Sequence, residues 1–344
     1  MDAKKKILDS LDILRIRDIQ SGEKGASFSA SAYAKAIKEL KKLPTITTEK
    51  DVEGLSGVGT KIKLKIKEIL ETGELKAANE AKADLQIDLY QDLLNVYGIG
   101  PVKAKDLINK DKVKSIDDLR ARQELLNEKQ KLGLKYYEDA LERIPREEME
   151  QHESKIQETI KAPFEATIVG SYRRGAANSG DIDVLIKIPA DYTKKQQKDT
   201  LEAIVDKFKE DYIVDILALG DKKCMAFVKL GDKVRRLDLL ITPEKEYPYA
   251  LLYFTGSDDF NVEFRKYALS KGYTLNEHIM KPTTEGEVPV MKTEKDIFDF
   301  LGLKYKEPNE RINENSVLKK LTMSEAMKEK KKLNKKTTNK NKNK

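Results

Sequence analysis

The spacing of apolar residues changes near residue 164, and this change constrains the fold more than any other feature of the sequence. Before it, apolar residues recur at helical spacing, as at Ile7, Leu11 and Leu14, which indicates amphipathic helices. After it, short runs rich in Val, Ile and Leu predict strands at 166–169, 182–188, 213–219, 224–230 and 234–241. Short turns join the last three strands into an expected antiparallel meander. The sequence therefore predicts an α+β protein with an all-helical N-terminal half.

The helical half contains an internal repeat built on two Gly-x-Gly segments. Gly57 and Gly59 form the first and Gly98 and Gly100 the second, each with apolar residues before it and a lysine-bearing helix after it. Glycine reaches positive φ without steric cost, so each segment predicts a tight turn. Backbone N–H groups at the start of the following helix suit a phosphate. We predict two helix-hairpin-helix elements that bind the DNA backbone; a simple turn between helices is the alternative.

Four lysines at alternate positions follow the first hairpin: Lys61, Lys63, Lys65 and Lys67. Lysines four residues apart are neighbours on a helix, and a like charge nearby disfavours the ammonium form, which predicts a lowered lysine pKa. A neutral amine is what Schiff-base chemistry with an aldehyde requires. A solvated basic face that contacts phosphate is the alternative, and the local sequence favours it.

Carboxylates concentrate in the strand-forming half. Asp181 and Asp183 are two positions apart, so they project from one face of a strand, and Arg236 and Asp238 share a face of another strand in the same way. If the two strands are neighbours, three carboxylates converge, and a pair of Mg²⁺ ions suits such a set. One Cys and two His exclude a disulfide framework and a Cys/His zinc cluster. Metal chemistry should therefore rest on carboxylates.

A Gly-Ser turn with arginines precedes the paired aspartates. Gly170, Ser171 and Arg174 follow one predicted strand, and Asp181 opens the next. We expect the turn and Arg174 to hold a triphosphate while the aspartates hold its metal ions. The combination predicts a two-metal centre for an in-line phosphoryl displacement.

These motifs together resemble the family X DNA polymerases, in particular those of the polymerase beta type, over about residues 5–311. Gly-Ser-Tyr-Arg-Arg-Gly at 170–175 with Gly-Asp-Ile-Asp-Val-Leu at 180–185 is similar to the nucleotidyltransferase signature of that family. Tyr-Phe-Thr-Gly-Ser-Asp at 253–258, with Asn261 and Arg265, is similar to its narrower polymerase motif, and 143–149 matches as well.

The resemblance implies roles for residues of the strand-forming half. Asp181 and Asp183 would bind two Mg²⁺ ions, for which Mn²⁺ can substitute, and Asp238 would bind the catalytic ion and help to activate the primer 3′-OH. The triphosphate would be contacted by Arg143, Gly170, Ser171, Arg174, Ser179 and Gly180. The sugar and base of the incoming nucleotide would meet Tyr253, Phe254, Gly256, Asp258 and Asn261. Arg236 and Arg265 would contact DNA.

The resemblance also implies roles in the helical half, where Lys65 would form the Schiff base of a 5′-deoxyribose-phosphate lyase. Tyr33 and Lys61 would bind the 5′-phosphate, although Phe28, Ser29 and Ala77 stand where the family has His or Lys, which implies weaker phosphate binding. Each hairpin would bind a monovalent cation, Na⁺ or K⁺, through backbone carbonyls, around Glu53, Leu55 and Val58 and around Leu94, Val96 and Ile99.

Five segments follow from the motifs and the resemblance. Residues 1–81 would be a helical lyase domain with the first hairpin, and 82–145 a helical DNA-binding subdomain with the second. Residues 146–245 would form a palm with mixed β-sheet and helices, and 246–318 a small α/β subdomain that binds the nascent base pair. The chain starts in the lyase-like segment, so we expect no domain before it.

The charge distribution singles out the last segment. Residues 319–344 hold eleven Lys and two Glu, so they account for more than the whole net charge of +7 and leave −2 on the rest. This polar tail is expected to be disordered and suggests a nuclear protein, or a cytoplasmic one if a virus encodes it. No apolar run approaches the length of a membrane span, so no membrane association is expected.

The implied function is a template-directed polymerase that fills short gaps in base excision repair, with an attached lyase. Its partners would be gapped or nicked double-stranded DNA, a dNTP and other repair proteins such as a DNA ligase, and the chain would act as a monomer. The alternatives are a nucleotidyltransferase outside repair and a protein that binds DNA ends with weak or lost lyase activity.

Overall fold

The computed structural model describes residues 3–21, 23–84 and 86–311, so the predicted tail lies outside the described residues. The chain divides into two compact units, 1–137 and 138–344. The division lies inside segment 82–145, which the sequence analysis assigned to one subdomain. Helices followed by a mixed sheet confirm the predicted α+β class. Among the described residues, no helix is long and apolar enough to cross a membrane.

The first unit is helical, as predicted. Its helices are α1 (Ala3–Ser21), α2 (Ala26–Lys42), α3 (Thr60–Thr72), α4 (Lys76–Asp84), α5 (Ile87–Asn95), α6 (Pro101–Asn109), α7 (Ile116–Ala121) and α8 (Glu128–Lys135), with 3₁₀ turns at Glu49–Val52 and Gln123–Leu125. Ile7, Leu11 and Leu14 are fully buried and belong to one apolar core that runs through the unit. These residues, which recur at helical spacing, therefore form the face along which α1 packs.

The second unit is built around a sheet. The helix α9 (Tyr137–Leu141) begins at the last residue of the first unit, and the further helices of the second unit are α10 (Arg146–Thr159), α11 (Gly170–Arg173), α12 (Lys194–Lys209), α13 (Tyr247–Thr255), α14 (Asp258–Ser270) and α15 (Glu294–Phe300). Its strands are β1 (Ile144–Pro145), β2 (Glu165–Ile168), β3 (Asn178–Ser179), β4 (Ile182–Ile188), β5 (Ile213–Leu219), β6 (Lys223–Lys229), β7 (Val234–Pro243), β8 (Tyr273–Leu275) and β9 (Met280–Pro282). A last 3₁₀ turn covers Pro308–Glu310.

Five strands form the main sheet in the order β2-β4-β7-β6-β5. The strands β5, β6 and β7 are antiparallel neighbours, which confirms the predicted meander, and β4 lies parallel to β7. All five predicted strands are present, with ends shifted by at most two residues. The two-stranded pairs β1–β3 and β8–β9 were not predicted, because strands of two or three residues are too short to show a period.

The two faces of β4 pack against different layers. Ile182, Val184 and Ile186 belong to the core beneath the sheet, together with residues of α10 and α12. Leu185 belongs to a smaller cluster on the other face, with Val169 and with Ala250 of α13. Strand alternation therefore sends Asp183 to the face of the sheet where α13 packs.

Candidate active site

The register of β4 and β7 places two of the predicted carboxylates side by side. Asp183 is the direct partner of Asp238 on the neighbouring parallel strand. Burial, and next the negative charge of Asp238, raise the pKa of Asp183 to about 6, although Lys223 and Arg174 act in the opposite direction. Two acidic side chains thus face one another in a partly desolvated place.

The third carboxylate is engaged differently. Asp181 forms an ion pair with Nη2 of Arg236, and Nε of Arg236 lies 3.8 Å from Oδ1 of Asp238. Among the described residues, no three His, Cys, Asp or Glu side chains form a group that could hold a metal ion. Asp183 and Asp238 therefore pair in register, whereas Asp181 forms an ion pair with Arg236, whose guanidinium also approaches Asp238.

A divalent cation nevertheless fits the oxygen atoms of this pair. Oδ1 of Asp238 is buried and has no hydrogen-bond partner, a state that costs free energy unless a ligand satisfies the atom. Oδ2 of the same carboxylate accepts from Nζ of Lys223 at 2.8 Å. Carboxylate oxygens are the ligands that Mg²⁺ prefers. We conclude that Asp183 and Asp238 can hold such an ion, with Asp181 beside them.

Gly170 turns the chain directly over Asp183. Its φ is 61°, in the left-handed region, and a Cβ atom at this position would lie 2.9 Å from Oδ2 of Asp183. Both facts require glycine here. Ser171 follows in α11, and its Oγ donates to Oγ of Ser179 at 3.0 Å. The turn after β2 and the short strand β3 thus meet above the carboxylates.

The 253–258 motif meets the same turn through Arg174. Nη1 of Arg174 donates to the carbonyl oxygen of Thr255 at 2.6 Å, and a Cβ atom at Gly256 would lie 3.2 Å from that Nη1. Burial lowers the pKa of Arg174, while Asp258 and Asp183 act to raise it. Arg174 therefore connects the predicted phosphate turn with the predicted nucleotide motif.

The remaining predicted nucleotide contacts surround these groups. Arg143 donates from Nε to Oδ1 of Asn178 at 2.8 Å and from Nη2 to the Asn178 carbonyl at 3.0 Å, and its Nη1 would meet a Cβ atom at Gly180 at 3.1 Å. Tyr253 packs edge-to-face on Phe254 and accepts at its carbonyl from Nδ2 of Asn261 at 2.7 Å. A small cavity is lined in part by Tyr253, Asn261 and Arg265.

The two hairpins of the helical unit have the same local structure. Val58 N donates to Leu55 O at 3.2 Å, and Ile99 N donates to Val96 O at 3.0 Å. Gly57 has φ 81° and Gly98 has φ 83°. Gly59 and Gly100 are the N-caps of α3 and α6, and no side chain caps either helix. The internal repeat is therefore structural, although a 3₁₀ turn, not an α-helix, precedes the first hairpin.

The second hairpin rests on α8, which the sequence analysis did not foresee. Nε2 of Gln130 donates to the carbonyl of Gly98 at 2.9 Å, and a Cβ atom at Gly133 would lie 2.4 Å from Tyr97 O. The absence of a side chain at Gly133 thus permits the contact between helix and turn. The six-residue glycine motif by itself does not predict that α8 packs against the hairpin.

The lyase residues predicted from the resemblance are spread over two helices. Lys61 and Lys65 lie on α3, whereas Tyr33 of α2 is buried in the helical core. Burial, and next the charge of Asp18 on α1, raise the pKa of Tyr33. The expected lowering of a lysine pKa is wrong for Lys67, because a hydrogen bond and the charge of Glu49 raise it.

Comparisons with known proteins agree with this geometry. Family models match for the DNA polymerase beta thumb at 250–312, the DNA polymerase beta palm at 143–244, the fingers domain of DNA polymerase lambda at 91–141, and a helix-hairpin-helix domain at 2–75. A DNA nucleotidylexotransferase of Xenopus laevis is 30% identical over 354 residues, covering 90% of this chain and 68% of the relative. The chain belongs to the family X DNA polymerases.

Two further relatives of this family X chain are named DNA polymerase lambda. The protein of Rattus norvegicus is 32% identical over 312 residues, covering 83% of this chain and 53% of the relative. The protein of Arabidopsis thaliana is 32% identical over 317 residues, covering 84% of this chain and 58% of the relative. The family X chain thus spans little more than half the length of these two relatives.

Sequence reasoning missed several polar groups around the site of this family X protein. Glu294 of α15 is buried and accepts from Arg173 at 2.8 Å and from Arg311 at 2.6 Å. Burial would raise the pKa of Glu294, but the two arginines outweigh it and lower the pKa. Arg173 also donates to Oγ1 of Thr255 at 2.6 Å. This network holds the turn at 170–174 to the C-terminal part of the unit.

Lys223 and Asn178 are the other omissions. Lys223 begins β6 and reaches Asp238 from the side, and Asn178 orients Arg143. Neither residue belongs to one of the sequence motifs, because each contacts a site residue that is distant in the sequence and comes close only through the pairing of strands. The one available signal for Lys223 was its place at the start of a meander strand next to the strand of Asp238.

Proposed function

We propose that the chain is a template-directed DNA polymerase that adds a dNTP to a primer 3′-OH with the aid of two divalent ions, Mg²⁺ or Mn²⁺. The observation that carries this proposal is the pairing of Asp183 with Asp238 in register, beside a turn at Gly170 where a Cβ atom would lie 2.9 Å from the Asp183 carboxylate. The relatives, which are named DNA polymerase lambda and DNA nucleotidylexotransferase, support the same reaction class.

The ions would be held by Asp183 and Asp238, joined by Asp181 once it leaves Arg236. When bound, they stabilise the charge that develops on the attacking and leaving oxygens. Ser171, Arg174 and Arg143 would orient the triphosphate, because their donors surround the turn above the carboxylates. Gly170, Ser179 and Gly180 would let the phosphates approach the backbone.

Nucleotide selection would fall to the end of α13 and the start of α14. Tyr253 and Phe254 would stand against a ribose 2′-OH, and their edge-to-face packing stiffens both rings. Gly256, Asp258 and Asn261 would lie beside the incoming base, and Arg265 would contact the template strand. Arg236 would contact DNA near the primer end after its release from Asp181.

We also propose a 5′-deoxyribose-phosphate lyase in the helical unit, with Lys65 as the nucleophile. The amine would attack C1′ of the sugar aldehyde, and the adduct would lose water to form an imine. Removal of a C2′ proton would expel the 3′-phosphate by β-elimination, and hydrolysis of the imine would release the sugar product and regenerate the lysine. Lys61 would bind the 5′-phosphate. Tyr33 would support the pocket from the core, since its ring is buried.

The substrate would be gapped or nicked double-stranded DNA in base excision repair. Both hairpins would bind the DNA backbone through open N–H groups at α3 and α6, each with a Na⁺ or K⁺ ion at its carbonyls. We place the protein in the nucleus, or in the cytoplasm if it is virus-encoded, as a monomer that meets other repair proteins such as a ligase.

The polymerase proposal is tested by Mg²⁺-dependent incorporation of dNTP on gapped DNA. Asp238→Ala should lose incorporation, whereas Asp232→Ala, in the exposed turn before β7, should keep it. Equal incorporation by Asp238→Ala and wild type would refute the mechanism. A single-stranded primer serves as a further substrate, because a template-directed polymerase should extend it poorly. Efficient extension without a template would instead indicate a transferase.

The lyase proposal is tested separately, by borohydride trapping on an incised abasic site. Lys65→Ala should abolish the trapped complex, and Lys82→Ala, on α4, should not change it. Undiminished trapping by Lys65→Ala would move the nucleophile to Lys61 or Lys63. A complete lack of trapping by the wild-type chain would leave a protein that only binds DNA ends through this unit.

A further inference from the structure

Cationic side chains of the chain itself occupy the carboxylates of the candidate site. Nζ of Lys223 lies 2.8 Å from Oδ2 of Asp238, and Arg236 binds Asp181 and approaches Asp238. The side chain of Asp238 is 11% exposed, whereas that of Lys223 is 48% exposed. The ammonium group therefore reaches into a buried position from a stem that lies half in solvent.

Of these two cationic side chains, Lys223 is the one better able to leave the carboxylate of Asp238. Arg236 directs its ion pair to Asp181, and its Nε, 3.8 Å from Oδ1 of Asp238, makes no hydrogen bond, so Lys223 is the group that directly occupies Asp238. Lys223 starts the adjacent strand β6, where its backbone carbonyl bonds to Gly220 N at 2.8 Å. Its backbone place is thus secured independently of its side chain, which can turn toward solvent without disturbing the sheet.

We propose that Lys223 is a cationic placeholder that neutralises Asp238 in the free protein and must leave before a divalent ion can bind tightly to that carboxylate. This inference rests on the proposed two-ion polymerase site. An ammonium group and a metal ion cannot share Oδ2 of Asp238, and like charges at that distance repel strongly in a partly desolvated site. A metal ion alone would compete poorly with Lys223.

The consequence is that metal binding becomes coupled to substrate binding. A triphosphate and a primer end bring further anionic oxygens, and these add to the ligand set that a divalent ion needs to displace the lysine. The free protein would then bind divalent ions weakly, and the complete set of ligands would form only with both substrates present.

The experiment is a titration of the full-length protein with Mn²⁺ alone, followed by the electron paramagnetic resonance signal of free Mn²⁺, without DNA or nucleotide. Lys223→Met should bind Mn²⁺ about tenfold more tightly than wild type, since one competing unit charge is removed. Lys222→Met is the matched control, because this neighbour forms no ion pair within the described ranges, and its affinity should stay within about twofold of wild type.

Two additional variants make the result decisive. Lys223→Arg retains the positive charge and should keep the weak Mn²⁺ binding of wild type, while adding Asp238→Ala to Lys223→Met should remove the gain. Equal affinity of Lys223→Met and wild type would overturn the placeholder. Should Lys223→Met fail to fold, as judged by thermal unfolding, Lys223→Gln replaces it with the same expectation.

The outcome separates this inference from the polymerase proposal. If Asp238→Ala alone lowers Mn²⁺ binding while Lys223→Met does not raise it, the proposed metal site is supported and the placeholder role of Lys223 is refuted. If Lys223→Met raises the Mn²⁺ affinity and the gain survives the addition of Asp238→Ala, Lys223 does not act through Asp238 and the placeholder is refuted, whereas the polymerase proposal is judged by the dNTP incorporation of Asp238→Ala.

Discussion

The glycine hairpins and the carboxylate centre are built on opposite plans. Each hairpin consists of six consecutive residues whose backbone groups are proposed to bind DNA. The two copies share the same turn hydrogen bond and the same positive φ. The centre draws side chains from the turn after β2, from β4 and β7, and from the end of α13. Arg174 and Thr255, which touch there, are 81 positions apart.

The difference shows what each region can tolerate. Backbone groups in a hairpin are unaffected by most changes of neighbouring side chains, so the two copies differ freely in sequence. The centre places like charges together and secures buried arginines with carboxylates, so almost every substitution leaves a charge unpaired. Mutations should therefore have large and specific effects in the centre and smaller, geometric effects in the hairpins.

The largest effect is expected for Asp183→Asn. Loss of this carboxylate should lower the rate of dNTP incorporation by about a thousandfold or more, because the proposed metal site would lose a ligand that contributes several kcal/mol. Single-turnover kinetics on gapped DNA would measure it. Asp191→Asn, in the exposed loop after β4, is the control. A comparable loss in this variant would show that the effect of Asp183→Asn does not depend on its place in the site.

A second prediction concerns the buried carboxylate Glu294. Glu294→Ala should lower the free energy of unfolding by about 3–5 kcal/mol, because two arginines, of which Arg311 is fully buried, lose their partner. Urea denaturation would measure the change. Glu285→Ala, an exposed loop position, should cost less than about 0.5 kcal/mol. Similar values for both variants would mean that the ion-pair network does not stabilise the fold.

The pH dependence of stability should also distinguish the carboxylate centre from the hairpins. Because the pKa of Asp183 in the folded protein is about 6, above the ordinary 3.8, its stabilising contribution is present below about pH 4 and is lost as the pH rises through 6. In chelator, wild type should thus lose up to about 3 kcal/mol relative to Asp183→Asn between pH 4 and 7. A difference that stays constant over this range would contradict the raised pKa.

The smallest effect tests the hairpins. Gly98→Ala should lower the free energy of unfolding by about 1–3 kcal/mol, because alanine resists the positive φ and its Cβ atom would lie 3.2 Å from Gln130. Gly100→Ala, in extended backbone with open space around it, should cost less than about 1 kcal/mol. Thermal unfolding of the two variants gives the comparison, and equal losses would remove the distinction between the two glycines.

The sequence by itself determined whatever depends on neighbouring residues. The Gly-x-Gly turns, the alternation that separates Asp183 from Ile182, and the meander of β5 to β7 follow from local sterics and periodicity, and all were predicted. Gly170 was foreseen as part of a turn, although the closeness of Asp183 was not.

Only the tertiary structure decided which distant groups meet. The parallel pairing of β4 with β7 set Asp183 against Asp238, and the neighbouring strand brought Lys223 to the same carboxylate. Arg236 formed an ion pair with Asp181, Glu294 joined two arginines, and Gln130 supported the second hairpin. Strand register and helix packing result from burial summed over the whole core, so no short stretch of sequence contains them.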